Sequence, residues 1–443
     1  MKLTLLKLFS IAALVASGAA QAADLLETFH TAQINDPVFA AARAAQQAGQ
    51  EKLLQGQALL KPSINLNANA TFNEQSTDYR AGSPLSASNG SKHYHSYGYS
   101  VNLTQPLFRA QNLLTYNQAQ LQVAQADAQF KVAEQDLALR VAQNYFDVLI
   151  AQDSVQLVEA QKAAITEQLQ QAKRNFEVGT ATITDTLEAQ SRFDLIVAQE
   201  VAAQNNLEVK RSGLQQLTNE PPKGLKPLGA SFKMGVPKPS DIEQWVTDAQ
   251  LNNPLLVVAQ TNASIAEKEV SRSQAGHYPT VDLVANYAKN NASGGGFGAN
   301  DSNNKSLGVQ LNVPLFQGGA IDSKSREAEA NNERSKQELE NARRSVTTQT
   351  RQAYLGVVSG MAQVQALQQA LVSGESLLAA SKLGQEVGIR TNLDVLNAQQ
   401  QLFSTRRDLY QAEYNYLISQ LRLKAAVGSL GEEEIVQVNS ALH

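Results

Sequence analysis

Four short stretches of the chain alternate apolar and polar side chains with a period of two residues, whereas the segments around them follow a helical period. In the first stretch, SINLNANATF, the apolar side chains are Ile64, Leu66, Ala68, Ala70 and Phe72. Such alternation is typical of a β-strand with one apolar and one polar face. The pattern predicts strands at about 62–73, 95–105, 279–290 and 305–313.

The predicted strands have the length that crosses a membrane when a strand is tilted, roughly ten residues. The loops inside the two hairpins are rich in Ser, Asn and Gly, which suits exposed extracellular loops. For one such hairpin, a soluble sheet with one wetted face is the favoured interpretation, but four matching strands in an exported chain favour a membrane sheet. Because four strands cannot close a barrel and open edges are not tolerated in lipid, a membrane sheet requires several copies of the chain.

The remaining segments repeat their apolar residues with a helical period. Pro106 and Pro314 follow the second and fourth strands and are predicted to lie in the first turn of a long helix, where proline is tolerated. Part of the first long helix carries a heptad seam of small apolar residues, which indicates coiled-coil packing. The predicted helices span about 24–60, 107–177, 184–217, 316–385 and 393–427.

The chain contains two copies of one long unit. VGTATITDTLEAQ at 178–190 returns as VGIRTNLDVLNAQ at 387–399, an offset of 209 residues, and Pro-Leu-Phe at 106–108 returns at 314–316. A repeat of this length indicates a duplicated domain rather than a short solenoid period. The predicted division is a signal peptide at 1–22, a first repeat at 23–220, a Pro- and Gly-rich linker at 221–240, a second repeat at 241–430 and a C-terminal tail at 431–443.

The first 22 residues have the features of a secretory signal peptide, with Lys2, Lys7, a short apolar run and the cleavage sequence Ala20-Gln21-Ala22. Its removal takes the formal net charge from −4 to −6, and such an acidic chain is not expected to bind nucleic acid. The absence of cysteine excludes disulfides and a Cys/His zinc site. No later apolar run reaches the roughly 18 residues that a transmembrane helix needs.

No sequence pattern indicates an enzyme. There is no catalytic triad pattern, no phosphate-binding loop and no metal-ligand cluster, so we expect no catalytic residue, no cofactor and no metal ion. His93 and His95 flank Tyr94 in a predicted loop and are interpreted as surface residues rather than as a metal site.

The repeated motif combines a turn with a helix start in each copy. Gly179 and Gly388 are predicted to end the long helices, because glycine is the usual residue where a helix terminates with positive φ. Asp185 and Asp394 are predicted in the first turn of the return helices, where a carboxylate interacts favourably with the helix dipole. A structural role therefore accounts for part of the motif before any function is considered.

With these features the chain resembles the TolC family of outer-membrane channels over essentially its whole length after the signal peptide. The resemblance rests on the duplicated helix–strand–strand–helix–helix unit, the two Pro-Leu-Phe sequences, the two tip motifs and YNYLISQLRLKAAVGSL near the C-terminus. It implies a mainly α fold with a transmembrane β part. In that fold three chains form a 12-stranded β-barrel that continues as a long coiled-coil tunnel.

The resemblance also implies a function and partners. The expected function is a passive exit duct in the outer membrane of a Gram-negative bacterium, with a gated periplasmic entrance, for type I protein secretion, small toxic compounds or both. The expected partners are two further copies of the chain, outer-membrane lipid, a periplasmic adaptor and an inner-membrane pump of the ABC, RND or MFS type. The alternative is a soluble periplasmic coiled-coil scaffold or adaptor, which cell fractionation would release with the periplasmic extract.

Several positions of the repeated motif match family residues at the tunnel entrance. Asp394 matches an acid that rings the narrow pore, but the next ring position holds Asn397, so weaker cation selectivity is expected. Arg390 matches a residue that ties neighbouring helices shut through partners corresponding to Asp185 and Thr184. The adaptor-docking tips of the family match Val178, Gly179, Thr180, Val387, Gly388 and Ile389.

Overall fold

The computed structural model describes residues 23–78, 80–84, 89–222, 224–229, 234–295 and 298–442. The predicted signal peptide at 1–22 lies outside the described residues. The helices are α1 (Leu25–Asn35), α2 (Pro37–Ala58), α3 (Ala110–Glu177), α4 (Ile183–Thr218), α5 (Ile242–Asn252), α6 (Pro254–Gln274), α7 (Ala320–Glu386), α8 (Asn392–Val427) and α9 (Glu432–Asn439). The strands are β1 (Ser63–Thr77), β2 (Gly90–Phe108), β3 (Thr280–Ala292) and β4 (Asn300–Asn312). None of the described helices has both the length and the apolar character needed to cross a membrane.

The chain divides into two compact units. The sheet unit comprises Ala41–Ala133 and Gln250–Thr348 and contains β1 to β4. The hairpin unit comprises the described residues up to Ala40, those of Glu134–Ala249 and those from Gln349 onward, and it contains the turns that follow α3 and α7. The long helices α3 and α7 each begin in the sheet unit and end in the hairpin unit.

The strands form one antiparallel sheet in sequence order. Its register sets apolar side chains of neighbouring strands side by side, since Leu66 pairs with Val101 and Val101 pairs with Tyr287. On the opposite face, the side chain of Asn286 donates a hydrogen bond to Asn102 across β3 and β2. One face of the sheet is therefore apolar and the other polar, as the period of two predicts.

Within the described residues, the apolar face of the sheet is uncovered. Leu66 is 69% exposed and Leu307 is 75% exposed, although both lie on the face where apolar residues are aligned. β1 and β4 are the edge strands, so each has one side that pairs with no other strand of the described chain. A sheet of this kind requires a cover for its apolar face and partners for its edges.

The starts of the two long helices differ from the sequence prediction. Pro106 does not open a helix but lies in β2, which pairs with β3 through a bulge between Pro106 and Phe108. Proline is compatible with a strand at such a bulge. In the second repeat, Gly318 and Gly319 have φ values of 61° and 79°, which a helix excludes, so α7 begins at Ala320. The prediction that each proline lies in the first helical turn was therefore wrong, and the strands are longer than predicted.

The predicted helix at 24–60 is interrupted and forms α1 and α2. Pro37 opens α2, and Asp36 before it is extended, with ψ of 118°. Proline causes this break because it disfavours the α conformation of the preceding residue. The second repeat is interrupted in the same way, since Asn253 is extended and Pro254 opens α6.

The segment at 221–240 and the tail at 431–443 are both tied to the hairpin unit. Tyrosine hydroxyls donate hydrogen bonds to backbone carbonyls of the segment, from Tyr145 to Lys226, from Tyr354 to Ser240 and from Tyr416 to Gly235. The tail contains α9, whose Asn439 accepts a hydrogen bond from the backbone N–H of Leu25 at 2.9 Å. The described parts of both regions are therefore fixed by specific hydrogen bonds.

The heptad seam of α3 lies in the core of the hairpin unit. Its buried members are Val141, Val148, Ala151, Ile165, Leu169 and Ala172. Lys162 interrupts the seam, and its ammonium pairs with the carboxylate of Glu200 on α4 at 2.6 Å. The seam predicted from the heptad pattern is thus buried on both sides of this charged pair, as a coiled coil requires.

Candidate functional site at the hairpin turns

The turns after α3 and α7 have the same backbone geometry. Gly179 and Gly388 have φ values of 79° and 80°, the left-handed conformation that glycine adopts at lowest cost. After each glycine, two backbone N–H groups return to one carbonyl of the preceding helix, from Thr180 and Ala181 to Asn175 and from Ile389 and Arg390 to Gly384. The repeated motif therefore encodes one turn twice.

The return helices α4 and α8 begin with matching capping boxes. The backbone N–H of Asp185 donates to the Thr182 hydroxyl at 3.3 Å, and the backbone N–H of Thr182 donates to the Asp185 carboxylate at 2.9 Å. The corresponding distances between Asp394 and Thr391 are 3.2 Å and 2.9 Å. Each aspartate lies in the first turn, as predicted, and satisfies a backbone donor of its own helix.

These contacts keep both carboxylates charged. The backbone N–H and the hydroxyl of Thr182 lower the pKa of Asp185 below its ordinary value. Those of Thr391 lower the pKa of Asp394, with a smaller contribution from Arg390. At any pH above its ordinary pKa, each ionised carboxylate stabilises the folded start of its helix. This stabilisation is lost as the pH falls through the lowered pKa. Both helix starts therefore carry a negative charge at neutral pH.

Arg390 lies beside the second of these carboxylates. Its guanidinium is 3.7 Å from the carboxylate of Asp394. The stem of its side chain lies against Gly384, where an added Cβ would be 2.7 Å from Arg390 Cγ. The lack of a side chain at Gly384 therefore gives Arg390 the room to lie along the end of α7. Within one chain, Arg390 pairs with Asp394, while Asp185 is bound by Thr182.

The residues predicted to dock an adaptor are exposed in the described chain. Ile389 is 79% exposed and Val178 is 73% exposed, which is unusual for such large apolar side chains. Thr184, in the first turn of α4, is also exposed. The other exposed members of the predicted tips are Gly179, Thr180, Val387 and Gly388. Both turns thus present apolar side chains that are available to another surface.

Asn397 is bound by an arginine that sequence reasoning missed. Arg192 of α4 donates a hydrogen bond to the Asn397 side-chain oxygen at 2.8 Å, and its other terminal nitrogen donates to Gln400. On its own helix, Arg192 lies 3.9 Å from the carboxylate of Glu188. No local pattern predicts this contact, because Arg192 and Asn397 are 205 residues apart in the chain.

The two turns present charged side chains and exposed apolar side chains. Within the described residues, no group of three His, Cys, Asp or Glu side chains could hold a metal ion. The aspartates are bound by the caps of their own helices, and the side chain of Arg390 is 55% exposed. Such groups can attract or repel ions and contact another protein.

Two carboxyl groups of the hairpin unit are partly buried. The hydroxyl of Tyr414 donates a hydrogen bond to the carboxylate of Asp153 at 2.9 Å. Burial raises the pKa of Asp153 despite this hydrogen bond. Burial also raises the pKa of Glu413, and the negative charge of Asp153 raises it further. When they are ionised, these two groups therefore oppose folding.

The Asp153→Asn variant is expected to have a higher melting temperature than the wild type at pH 7, by about 2 °C. The raised pKa means that the carboxyl group favours folding below its ordinary pKa and loses this contribution as the pH rises through the raised value. The gain in melting temperature should therefore shrink as the pH approaches 4. Thermal melts in detergent at both pH values measure the difference. Asp194→Asn, at an exposed carboxyl of α4, is the control, and an equal gain at both pH values for Asp153→Asn would contradict the interpretation.

Comparisons with known proteins agree with the repeat and with the fold. A family model described as "Outer membrane efflux protein" matches residues 28–220 and 245–429. The outer membrane protein TolC of Vibrio cholerae serotype O1 is 34% identical over 442 residues, which cover 99% of this chain and 98% of that protein. The alkaline protease secretion protein AprF of Pseudomonas aeruginosa is 32% identical, over 93% of this chain and 85% of that protein.

A solved structure also matches the fold of this chain. The outer membrane protein VceC from Vibrio cholerae matches with a TM-score of 0.77 at 20% identity, over 91% of this chain and 96% of that chain. At this level of identity, the shared property is the fold. That fold combines long helices with a small antiparallel sheet, as in the described chain.

Proposed function

Because the chain belongs to the outer membrane efflux protein family, we propose that three copies of it form one conduit whose periplasmic entrance is built by the turns after α3 and α7. The chain is an outer-membrane channel of a Gram-negative bacterium and serves as an exit duct for protein secretion and efflux. Members of this family are passive conduits rather than enzymes. Family membership also rules out the soluble scaffold that the sequence left open.

The incomplete sheet is the observation that supports an assembly of several chains, and membership of the family supports three. One chain supplies four strands, with an exposed apolar face and two edges that pair with no further strand of the described chain. Open edges are not tolerated in lipid, and closed single-chain barrels begin at about eight strands. Three copies supply twelve strands, joined at the edges of β1 and β4. The apolar face then meets lipid, and the polar face that includes Asn102 and Asn286 lines the lumen.

The second helical hairpin, formed by α7 and α8, supplies the negative charge at the entrance. Asp394 is ionised at neutral pH and lies in the first turn of α8. In a trimer it provides a ring of three carboxylates, whereas Asn397 adds a ring of neutral amides. The channel therefore favours cations, but less strongly than an entrance with an acid at both positions. Arg390 holds this entrance narrow through its pairing with carboxylates of the two hairpins, Asp394 within the chain and Asp185 beside Thr184 across neighbouring helices.

The exposed apolar residues of the turns dock a periplasmic adaptor. Val178 and Ile389 support this role because each is a large apolar side chain that is more than two-thirds exposed. The adaptor connects the conduit to an inner-membrane pump of the ABC, RND or MFS type, which supplies the energy that a passive duct lacks. The glycines of the two turns, Gly179 and Gly388, allow the chain to reverse without a side chain in this surface.

The domain division follows the same proposal. The repeats at 23–220 and 241–430 each supply one strand pair and one helical hairpin, and the segment at 221–240 joins them. The family model matches one stretch within each repeat. Residues 1–22 direct export of the chain across the inner membrane.

The oligomeric state in detergent tests the proposed conduit. We expect light scattering and native mass spectrometry of the purified protein to give three times the chain mass, because a closed assembly satisfies the edges of β1 and β4 and the proposed conduit has twelve strands. The same sample after denaturation gives the mass of one chain and serves as the control. A monomer or a dimer under native conditions would contradict the proposed trimer.

A further inference from the structure

Each helical hairpin has an apolar interior of its own. In the first hairpin, the buried cluster consists of residues of α3 and α4, with Phe193 packed against it: Leu169, Ala172 and Ala189. In the second hairpin, a separate cluster consists of residues of α7 and α8: Val364, Leu409 and Ala412. Near the turns, α4 and α8 are also joined by polar contacts, from Arg192 to Asn397 and Gln400.

The guanidinium of Arg192 holds two positions of α8 at once. Asn397 and Gln400 are three residues apart on α8, so their side chains project from the same face of that helix. The planar fork of an arginine can donate to two such acceptors from a single conformation. Arg192 does so at 2.8 Å to Asn397 and through its other terminal nitrogen to Gln400. Its side chain is 24% exposed, so water reaches it only in part.

Arg192 contacts two residues, one in each copy of the repeat, that occupy equivalent positions. Glu188 and Asn397 are equivalent, since they are separated by the repeat offset of 209 residues. The acid in the first copy lies 3.9 Å from the guanidinium and balances its charge. The neutral amide in the second copy accepts a hydrogen bond without adding a second negative charge. Arg192 is therefore held on α4 by a charge pair and joined to α8 by hydrogen bonds, which separate more readily than a buried ion pair.

A second polar contact lies next to the first. The side-chain amide of Gln168 on α3 donates to the side-chain oxygen of Gln399 at 2.8 Å. The side-chain oxygen of Gln168 is buried and has no hydrogen-bond partner. A cleft of about 420 Å³ opens beside these groups, lined by residues of α3, α4 and α8 that include Val158, Ile196 and Leu396. Polar contacts therefore join α8 to both helices of the first hairpin, to α3 through Gln168 and to α4 through Arg192.

We propose that Arg192 is a latch that holds the second hairpin against the first within one protomer, and that its release from Asn397 and Gln400 is a step in opening the entrance. The inference rests on the proposed function, in which α8 carries the entrance residue Asp394. Any movement of α8 away from α4 separates Arg192 from both acceptors. The latch is distinct from the Arg390 contact, because Arg390 lies in the turn before α8 and pairs within the described chain with Asp394, whereas Arg192 lies on α4 and binds α8.

Planar-bilayer recordings of Arg192→Ala test the latch. We expect the equilibrium constant for opening to rise about tenfold, which corresponds to about 1.4 kcal/mol. Arg407→Ala is the matched control: Arg407 lines the same cleft, but its hydrogen bonds go to Ser404 and Asp408 of its own helix. The control removes an equal charge and is expected to leave opening unchanged. Native mass measurement confirms that each variant is a trimer before recording, and Gln400→Ala, which removes one acceptor, should give a smaller rise.

A reversible cross-link separates a latch from a general packing role. The chain has no cysteine, so Arg192→Cys combined with Gln400→Cys introduces the only thiols. The unlinked double variant is expected to open readily. A short bis-methanethiosulfonate reagent that joins the thiols should restore the low conductance, and reduction should raise it again. Conductance that does not change between the linked and reduced states would overturn the latch.

The outcomes distinguish the latch from the proposed entrance. If Arg390→Ala raises the conductance while Arg192→Ala behaves like Arg407→Ala, the latch is wrong and the entrance stands. If the Arg390 and Asp394 variants also conduct like the wild type, the entrance itself is misplaced. A rise for Arg192→Ala, with a reversible effect of the cross-link, supports both.

Discussion

Replacing Arg390 with alanine is expected to raise the single-channel conductance severalfold in planar bilayers. The guanidinium lies 3.7 Å from Asp394 in the described chain and carries the positive charge next to the proposed carboxylate ring. Its removal loosens the contact that keeps the entrance narrow and uncovers the negative charge of Asp394. In a trimer the effect acts three times, so individually weak exposed pairs combine into a large change in the gate.

Two companion variants identify the cause of such a rise. Arg390→Lys keeps the charge but loses the planar fork, so an intermediate conductance is expected. Gly384→Ala leaves the charge in place and adds a Cβ that would lie 2.7 Å from Arg390 Cγ, so it displaces the side chain. It should therefore raise the conductance in the same direction as Arg390→Ala. A wild-type conductance for Arg390→Ala would refute the assignment of Arg390 to the gate.

Replacing Arg109 with methionine is expected to destabilise the protein by about 3 kcal/mol, because it leaves a buried carboxylate unpaired. Arg109 lies between the end of β2 and the start of α3, and it donates two hydrogen bonds to Asp282 of β3, at 2.8 Å and 2.6 Å. The Asp282 side chain is only 9% exposed, so water replaces the lost partner poorly. The pair therefore fixes the junction where the sheet passes into the long helix.

The double variant Arg109→Met with Asp282→Asn should recover part of this loss, since no unpaired charge remains. Urea unfolding in detergent measures both variants. Arg344→Met is the control, because Arg344 is a highly exposed arginine paired with Glu340 on its own helix and should cost about 0.5 kcal/mol or less. An Arg109→Met protein as stable as this control would contradict the role given to the pair.

The sequence predicts the parts of the fold that follow local patterns. The return helices predicted at 184–217 and 393–427 are observed at Ile183–Thr218 and Asn392–Val427, because a glycine turn and a capped start mark each one. The four strands follow from the period of two. The capping threonines could also have been recognised, since Thr182 and Thr391 stand three residues before an aspartate in both copies of the motif.

The features that depend on distant contacts could not be predicted. Arg192 meets Gln400 across 208 residues, and nothing in the residues around it differs from a solvated helix face. The burial of Asp153 follows from the packing of α8, which supplies Tyr414. The break at Pro37 was within reach of sequence reasoning, because proline restricts the residue before it, but the helical period on both sides concealed it.

The most direct test of the proposed conduit is the current through a channel with a single type of thiol. The chain has no cysteine, so Asp394→Cys places the only thiol of each copy at the proposed entrance. A bulky maleimide added on the side that the hairpin turns face is expected to block the current, and the wild-type channel should not respond. A fully labelled Asp394→Cys channel that conducts as before would contradict the claim that the conduit opens between these turns.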